Sequence, residues 1–172
     1  MMSLKNKKVA VLVANLYEDL EFWYPYIRMQ EAGADVTSIG AADETYKGKH
    51  GIPAKPDQSI HDVNAGDFDA VIIPGGYSPD HMRRSPEMID FVKKVHENNK
   101  FVAAICHGGW MLASAEILNG KQVTSFYSIK DDLVHAGAEW LDKEVVVDEY
   151  LVTSRTPKDL PAFCRTLIEL LS

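Results

Sequence analysis

Residues 101–112, which read FVAAICHGGWML, combine an apolar strand, a cysteine and the start of a helix. Residues 101–105 are all apolar, as is typical of a strand buried in a parallel sheet. A strand that turns into a helix at a nucleophilic residue is a nucleophile elbow, where backbones crowd together. Small residues are needed there two places before and two places after the nucleophile, and Ala104 and Gly108 occupy those places. The stretch therefore predicts that Cys106 is a nucleophile.

The alternative is that Cys106 is an inert thiol in the core, since free cysteine is among the most buried residue types. The residues that follow it favour the functional interpretation, because a core thiol does not require a histidine and two glycines directly behind it. The N-terminus of the following helix would also stabilise a thiolate and a developing oxyanion.

Apolar strands alternate with amphipathic helices along the rest of the chain, which indicates a doubly wound α/β fold with helices on both faces of a mostly parallel sheet. The length of 172 residues fits one domain, expected over 5–172 with 1–4 outside it. Strands are predicted at 8–14, 35–40, 70–73, 101–105, 123–125, 144–147 and 151–154. Helices are predicted at 20–32, 86–99, 129–136 and 160–171, and the helix that follows Cys106 is predicted to end at about residue 115. A small hairpin or edge excursion is predicted within 46–60.

Composition excludes several classes of function. The net charge of -7 and the scattered basic residues argue against nucleic acid as a partner. There is no apolar run of membrane length and no signal-peptide core, and two cysteines do not make a disulfide framework. These features favour a cytoplasmic protein. Without a CxxC, HExxH or P-loop motif, no metal and no cofactor is expected, and Cys164 is interpreted as core packing in the last helix.

The ligand crevice of such a sheet lies at the carboxyl ends of the strands. Glu18 follows the first strand, and beside Cys106 it would be desolvated, hold its proton and donate a hydrogen bond to the thiolate. Gly76 follows the third core strand, and its N–H together with the His107 N–H would form an oxyanion hole. His107 would act as a general base if a carboxylate oriented it. The nearest candidate is Asp80, which could come from another subunit.

The segment AICHGG resembles the elbow motif AICHGP of the ThiJ/PfpI family. The resemblance extends to VLVANLYEDLEFWYPY, GKHG, FDAVIIPGGYSPD, IKDDLVHAGAEW, EVVVD and VTSRTPKDL, and so covers essentially the whole chain. It is strongest for the PfpI-type intracellular proteases. It implies a flavodoxin-like sandwich, homo-oligomers built from a tight dimer, and a Cys106 nucleophile supported by Glu18. It also implies that His107 works with an acid from a neighbouring subunit.

Two residues depart from the family pattern. Gly109 stands where the motif usually has proline, and the Trp110 behind it is expected to reshape the pocket. Asp80 stands where some members have glutamate and is one methylene shorter, which leaves the triad across subunits open.

Three functions follow from these residues. The first is a PfpI-type cysteine peptidase, in which Cys106 attacks a peptide carbonyl. The second is a deglycase or glyoxalase acting on methylglyoxal adducts, which does not need a strong base to expel an amine. The third is a sensor of oxidative stress in which Cys106 is oxidised to sulfinic acid. The partner is accordingly a small carbonyl compound or a peptide.

Overall fold

The computed structural model describes residues 3–172, which form a central sheet with helices packed on it. The strands are β1 (Lys8–Val13), β2 (Asp35–Gly40), β3 (Tyr46–Lys47), β4 (Pro53–Ala54), β5 (Gln58–Ser59), β6 (Ala70–Ile73), β7 (Phe101–Ile105), β8 (Gln122–Val123), β9 (Glu139–Trp140), β10 (Val145–Asp148) and β11 (Leu151–Ser154). The helices are α1 (Asp19–Glu31), α2 (Ser78–Met82), α3 (Pro86–Glu97), α4 (Gly109–Ser114), α5 (Lys130–His135) and α6 (Leu160–Leu171).

Seven strands form the central sheet in the order β10-β11-β7-β6-β1-β2-β5. All neighbours run parallel except β10 and β11, which form an antiparallel edge. Strands β3 and β4 pair as a separate antiparallel hairpin, so the hairpin predicted within 46–60 is confirmed. The doubly wound α/β fold predicted from the alternation of elements is confirmed as well.

The two faces of the sheet are both buried, which explains why its strands are apolar without alternation. In β1, Ala10 and Leu12 belong to the core on the side of α3, α4 and α5, whereas Val9 and Val11 belong to the core on the side of α1 and α6. The result is the three-layer sandwich that the family resemblance implied.

The domain begins earlier than predicted. Leu4 is fully buried, and its backbone N–H donates to the carbonyl of Ala32 at 2.8 Å. The prediction that residues 1–4 lie outside the domain is therefore wrong for Leu4, whose side chain packs in the core beneath α1 and α6. Met1 and Met2 lie outside the described residues. Within residues 3–172, the helices are all too short or too polar to cross a bilayer.

Strands β1, β6 and β7 are adjacent and parallel in the middle of the sheet. Their carboxyl ends therefore open at the same edge. The segments that follow them, 14–18, 74–77 and 106–108, meet there, as the sequence predicted. The antiparallel bridge between Tyr17 and Gly76 joins the first two segments directly.

Candidate active site

Cys106 lies at a strained turn between β7 and α4. Its φ angle is +60°, in the left-handed region that non-glycine residues rarely adopt, and 9% of its surface is exposed. A Cβ on Gly108 would lie 2.6 Å from the Ile73 carbonyl oxygen and 3.4 Å from the Ala104 Cβ. The crowding that calls for small residues on both sides of a nucleophile is therefore present. The turn has the geometry of a nucleophile elbow.

His107 reaches the sulfur of its neighbour. The distance from His107 Nδ1 to Cys106 Sγ is 3.3 Å. The imidazole stacks on Phe126, with ring centroids 5.2 Å apart, and meets Trp110 edge-on at 5.1 Å. Burial, followed by the charge of Lys49, lowers the pKa of His107, so the ring is neutral at pH 7 and able to accept a proton.

The second nitrogen of His107 faces a hydroxyl. Ser128 Oγ lies 3.2 Å from Nε2, in the turn that precedes α5. Asp80, the predicted orienting acid, instead pairs with Arg84, two residues beyond the end of α2, and this contact lowers the Asp80 pKa. Within one chain, Asp80 is therefore not the partner of His107. A contact from the Asp80 of a neighbouring subunit stays a prediction.

The carboxyl next to Cys106 belongs to Glu21 and not to Glu18, so the predicted position was wrong. Glu21 is fully buried, and its Oε2 accepts a 2.8 Å hydrogen bond from the Gly75 N–H. A Cβ on Gly75 would lie 2.5 Å from that oxygen and 2.7 Å from the Cys106 Cβ. The start of α1 explains why Glu21 and not Glu18 lies beside Cys106. The helix begins at Asp19, and its first turn directs the side chain of Glu21 toward the edge of the sheet.

Glu18 lies at the N-cap of α1 and turns toward the loop that follows β3. Its Oε2 is 3.5 Å from both Lys49 Nζ and His50 Nε2. The side chain lines the same cavity as Cys106, but its carboxylate faces the exposed ammonium group of Lys49. Glu18 therefore lines the wall of the cavity. Glu21 occupies the position beside Cys106 that was predicted for Glu18.

Glu21 and Cys106 are coupled acids. Burial raises the pKa of Glu21 to about 8, so this carboxyl holds its proton at neutral pH. Burial also raises the pKa of Cys106, and a charge on Glu21 raises it further, while the backbone N–H groups of His107 and Gly76 act in the opposite direction. Burial therefore opposes the stabilisation of the thiolate that was expected from the helix N-terminus. Formation of the thiolate instead needs a base that removes the proton from the sulfur.

The glycine pair 75–76 is dictated by close contacts. Gly76 has a φ of +71°, and a Cβ there would lie 2.4 Å from both the Glu18 nitrogen and the Leu16 carbonyl oxygen. Because no side chain intervenes, the Gly76 N–H approaches the sulfur of Cys106 beside the His107 N–H. This is the arrangement expected of the predicted oxyanion hole, whose function stays a prediction.

These groups line a cavity of about 480 Å³ at the sheet edge. Its walls are acidic, basic and apolar residues: Leu16, Glu18, Glu21, Lys49, Gly76, Tyr77, Cys106, His107, Phe126 and Pro157. On its rim, ligand atoms of Glu18, Asp19 and His50 lie within 4.8 Å of one another, as metal ligands do. However, both Asp19 oxygens already accept backbone N–H groups, from His50 at 2.8 Å and from Ile52 at 3.0 Å.

Comparison with known proteins gives a consistent result. The family model for the DJ-1/PfpI family matches residues 7–170. "Putative cysteine protease YraA" of Bacillus subtilis is 47% identical over 167 residues, which cover 96% of this chain and 99% of the relative. "Deglycase PH1704" of Pyrococcus horikoshii is 43% identical over 164 residues, covering 95% and 99%.

A solved structure is similar over the same length. The crystal structure of a two-domain protein with DJ-1/ThiJ/PfpI-like and ferritin-like domains, from Anabaena variabilis, superposes with a TM-score of 0.95 at 43% identity. The match covers 96% of this chain and 48% of that protein, so this chain spans about half of it.

Proposed function

This chain belongs to the DJ-1/PfpI family, and from this premise we propose that it is a cysteine-dependent hydrolase of carbonyl adducts, such as those of methylglyoxal with amines and thiols. The resemblance drawn from its sequence motifs is confirmed. The relatives carry the names of both a cysteine protease and a deglycase, so the family alone does not select the substrate. The choice rests on the geometry around His107.

The observation that carries the proposal is the pair of contacts on the His107 ring. Nδ1 faces the Cys106 sulfur, and Nε2 faces the neutral hydroxyl of Ser128. Expelling an amine from a peptide bond needs a strongly supported imidazolium, for which a carboxylate partner is the usual device. Attack on a ketone or on an aldehyde-level adduct needs less stabilisation of the imidazolium. A neutral histidine beside a thiol is sufficient for that reaction.

The residues act in a simple order. Nδ1 of His107 removes the proton from Cys106, and the sulfur adds to the substrate carbonyl carbon. The oxygen of that carbonyl becomes an oxyanion that accepts the N–H groups of Gly76 and His107. The protonated Glu21 places no negative charge beside the sulfur during this step. Lactate then forms by an internal oxidation and reduction: the hydrogen on the aldehyde-level carbon moves to the neighbouring ketone carbon, so that the first carbon is oxidised and the second reduced. The bond from the first carbon to the substrate amine or thiol breaks, and this leaving group takes up a proton. One water hydrolyses the bond to the Cys106 sulfur, which releases lactate and restores the thiol.

The dimensions of the site agree with this substrate class. A cavity of about 480 Å³ accommodates a three-carbon adduct together with the end of the side chain that carries it. Lys49 and Tyr77, both on its walls, are in place to contact the hydroxyl and carbonyl oxygens of the adduct. A peptidase remains the second candidate because of the 47% identity to YraA.

The test compares the two substrates on the same enzyme preparation. Methylglyoxal-modified N-acetylcysteine and N-acetyllysine are incubated with the protein, and lactate and the free thiol or amine are measured. An unmodified fluorogenic peptide is assayed in parallel. We expect release of lactate and little peptide cleavage. Peptide cleavage without lactate release would contradict the proposal and favour the peptidase.

A further inference from the structure

We infer that Ser128 is the positioning residue of His107, holding its ring in the orientation and tautomer in which Nδ1 accepts the proton of Cys106. The inference deepens the proposed function and rests on its assignment of Cys106 and His107. It concerns a hydroxyl within the same chain, and the predicted contact from the Asp80 of a neighbouring subunit is a separate question.

Both nitrogens of His107 have one partner each. The 3.3 Å contact joins Nδ1 to the Cys106 sulfur, and the 3.2 Å contact joins Nε2 to Ser128 Oγ. In a neutral imidazole one nitrogen carries hydrogen and the other is a free acceptor. A thiol that donates to Nδ1 therefore requires the hydrogen on Nε2, where the Ser128 oxygen accepts it.

The plane of the ring is fixed from two further sides. Phe126 stacks on one face, and Trp110 meets the ring edge-on. The indole N–H of Trp110 donates to Asp132 at 2.8 Å, which holds the indole itself in place. With the ring restrained in this way, the Ser128 hydroxyl decides which nitrogen is protonated.

The backbone holds Ser128 in this position. On one side, the Phe126 N–H donates to the Cys106 carbonyl oxygen at 3.2 Å, which ties the loop to the elbow. On the other side, Ile129 is buried, and its N–H donates to the Phe126 carbonyl oxygen at 3.2 Å. The hydroxyl of Ser128 is thus presented from a segment anchored at both ends, although the residue itself is exposed.

A neutral partner has a chemical consequence. A hydroxyl oxygen stabilises an imidazolium less than a carboxylate does, so the protonated His107 gives its proton back readily to the leaving group. Within the chain, the carboxylate of Asp80 is engaged by Arg84. Replacing Ser128 by a residue without a hydroxyl leaves Nε2 without its partner in the chain. The hydrogen of the neutral ring is then no longer held on Nε2.

The direct test is the protonation state of the two imidazole nitrogens. In protein labelled with ¹⁵N-histidine, the His107 signals are assigned by comparison with His107→Gln and recorded at pH 7.5. We expect hydrogen on Nε2 in the wild type and in Ser128→Thr, which keeps the hydroxyl. Ser128→Ala should give a mixture of tautomers. Tyr127→Phe, which removes the hydroxyl of the neighbouring exposed residue, is the matched control and should resemble the wild type.

Turnover of the methylglyoxal adduct gives a second readout. We expect Ser128→Ala to lower kcat by at least about tenfold with KM unchanged, a part of the 10²- to 10⁴-fold that a general base contributes. Ser128→Thr should restore most of the loss. An unchanged tautomer and an unchanged kcat in Ser128→Ala would overturn the inference, and so would a tautomer that changes in Asp80→Asn but not in Ser128→Ala.

The tautomer readout does not depend on the substrate. If Ser128→Ala shifts the tautomer while no variant, including the wild type, hydrolyses the adduct, the proposed function fails and the role of Ser128 stands. If the adduct is hydrolysed at the same rate and with the same tautomer in all Ser128 variants, the proposed function stands and the role of Ser128 is refuted.

Discussion

Glu21 Oε2 accepts a 2.8 Å hydrogen bond from the backbone N–H of Gly75, although the Glu21 side chain has no exposed surface. This contact joins the first turn of α1 to the loop that presents the Gly76 N–H. It also places a carboxyl that titrates near neutrality beside Cys106. The framework of the site and its electrostatics are therefore set by one buried side chain.

Glu21 is expected to make stability depend on pH. Its pKa rises from 4.5 in the unfolded chain to about 8 in the folded protein, so the folded state binds the proton more tightly. The free energy of unfolding should therefore fall as pH rises between these values and level off above them. When the pH is raised from 6 to 9, the Tm of the wild type should fall. The Tm of Glu21→Gln should fall by at least about 4 °C less than that of the wild type.

The matched control for this measurement is Glu97→Gln, which neutralises an exposed carboxyl at the end of α3. It should follow the wild type at every pH. A Glu21→Gln protein with the same pH dependence as the wild type would show that the buried carboxyl does not hold its proton.

Gly76→Ala is expected to damage both the fold and the site. A Cβ at this position would lie 2.4 Å from two backbone atoms, so the loop has to move. Gly120 has a similar φ of +74° but open space around it, so Gly120→Ala measures the cost of the left-handed backbone alone, about 1–2 kcal/mol. In urea titrations Gly76→Ala should cost at least about 2 kcal/mol more than Gly120→Ala. Equal costs would contradict the crowding described here.

Lys49 is expected to set the acid limb of the activity profile. Its charge lowers the pKa of His107, so Lys49→Met should raise that pKa and move the rise of kcat/KM to higher pH. The shift should stay below about one pH unit, because Lys49 is exposed to water. Lys55→Met, which removes a cation paired with Asp43, serves as the control and should leave the profile in place. A shift toward lower pH would refute the electrostatic assignment.

Asp19 is expected to anchor the loop that carries Lys49. Both its oxygens accept backbone N–H groups, from His50 and from Ile52. Asp19→Ala should cost about 2 kcal/mol of unfolding free energy, since it leaves two partly buried backbone donors without their acceptor. Asp43→Ala, at an exposed ion pair, should cost less than about 1 kcal/mol. Similar losses in the two variants would show that Asp19 does not anchor the loop.

Much of the fold follows from apolar runs in the sequence. Strands 70–73, 101–105 and 151–154 and the helix 160–171 have the predicted bounds, because strands buried on both faces are apolar throughout and the last helix has a clear apolar stripe. Strand β10 lies one residue later than the predicted strand 144–147, and the two-residue strand β9 was not predicted. A strand of two residues is too short to show a periodic pattern in the sequence.

The site was predicted in part. Cys106 and its crowded glycine and alanine neighbours are determined by local geometry, which a sequence motif records. The choice between Glu18 and Glu21 depends on the residue at which α1 begins, and helix bounds are uncertain by one or two positions. Glu21, three residues after Glu18 in the first turn, was the available signal. Ser128 had none, because its contact with His107 is made through tertiary structure across 21 residues.

The most direct test of the central claim, that Cys106 is the nucleophile, is the rate of adduct hydrolysis by Cys106→Ser and by Cys164→Ser. Cys164 lies on the buried face of α6 and does not line the cavity, and so it controls for the loss of a thiol. We predict that Cys106→Ser loses at least about 10³-fold in kcat while its thermal unfolding is unchanged, and that Cys164→Ser keeps the wild-type rate per folded molecule. Turnover by Cys106→Ser at the wild-type rate would contradict the account.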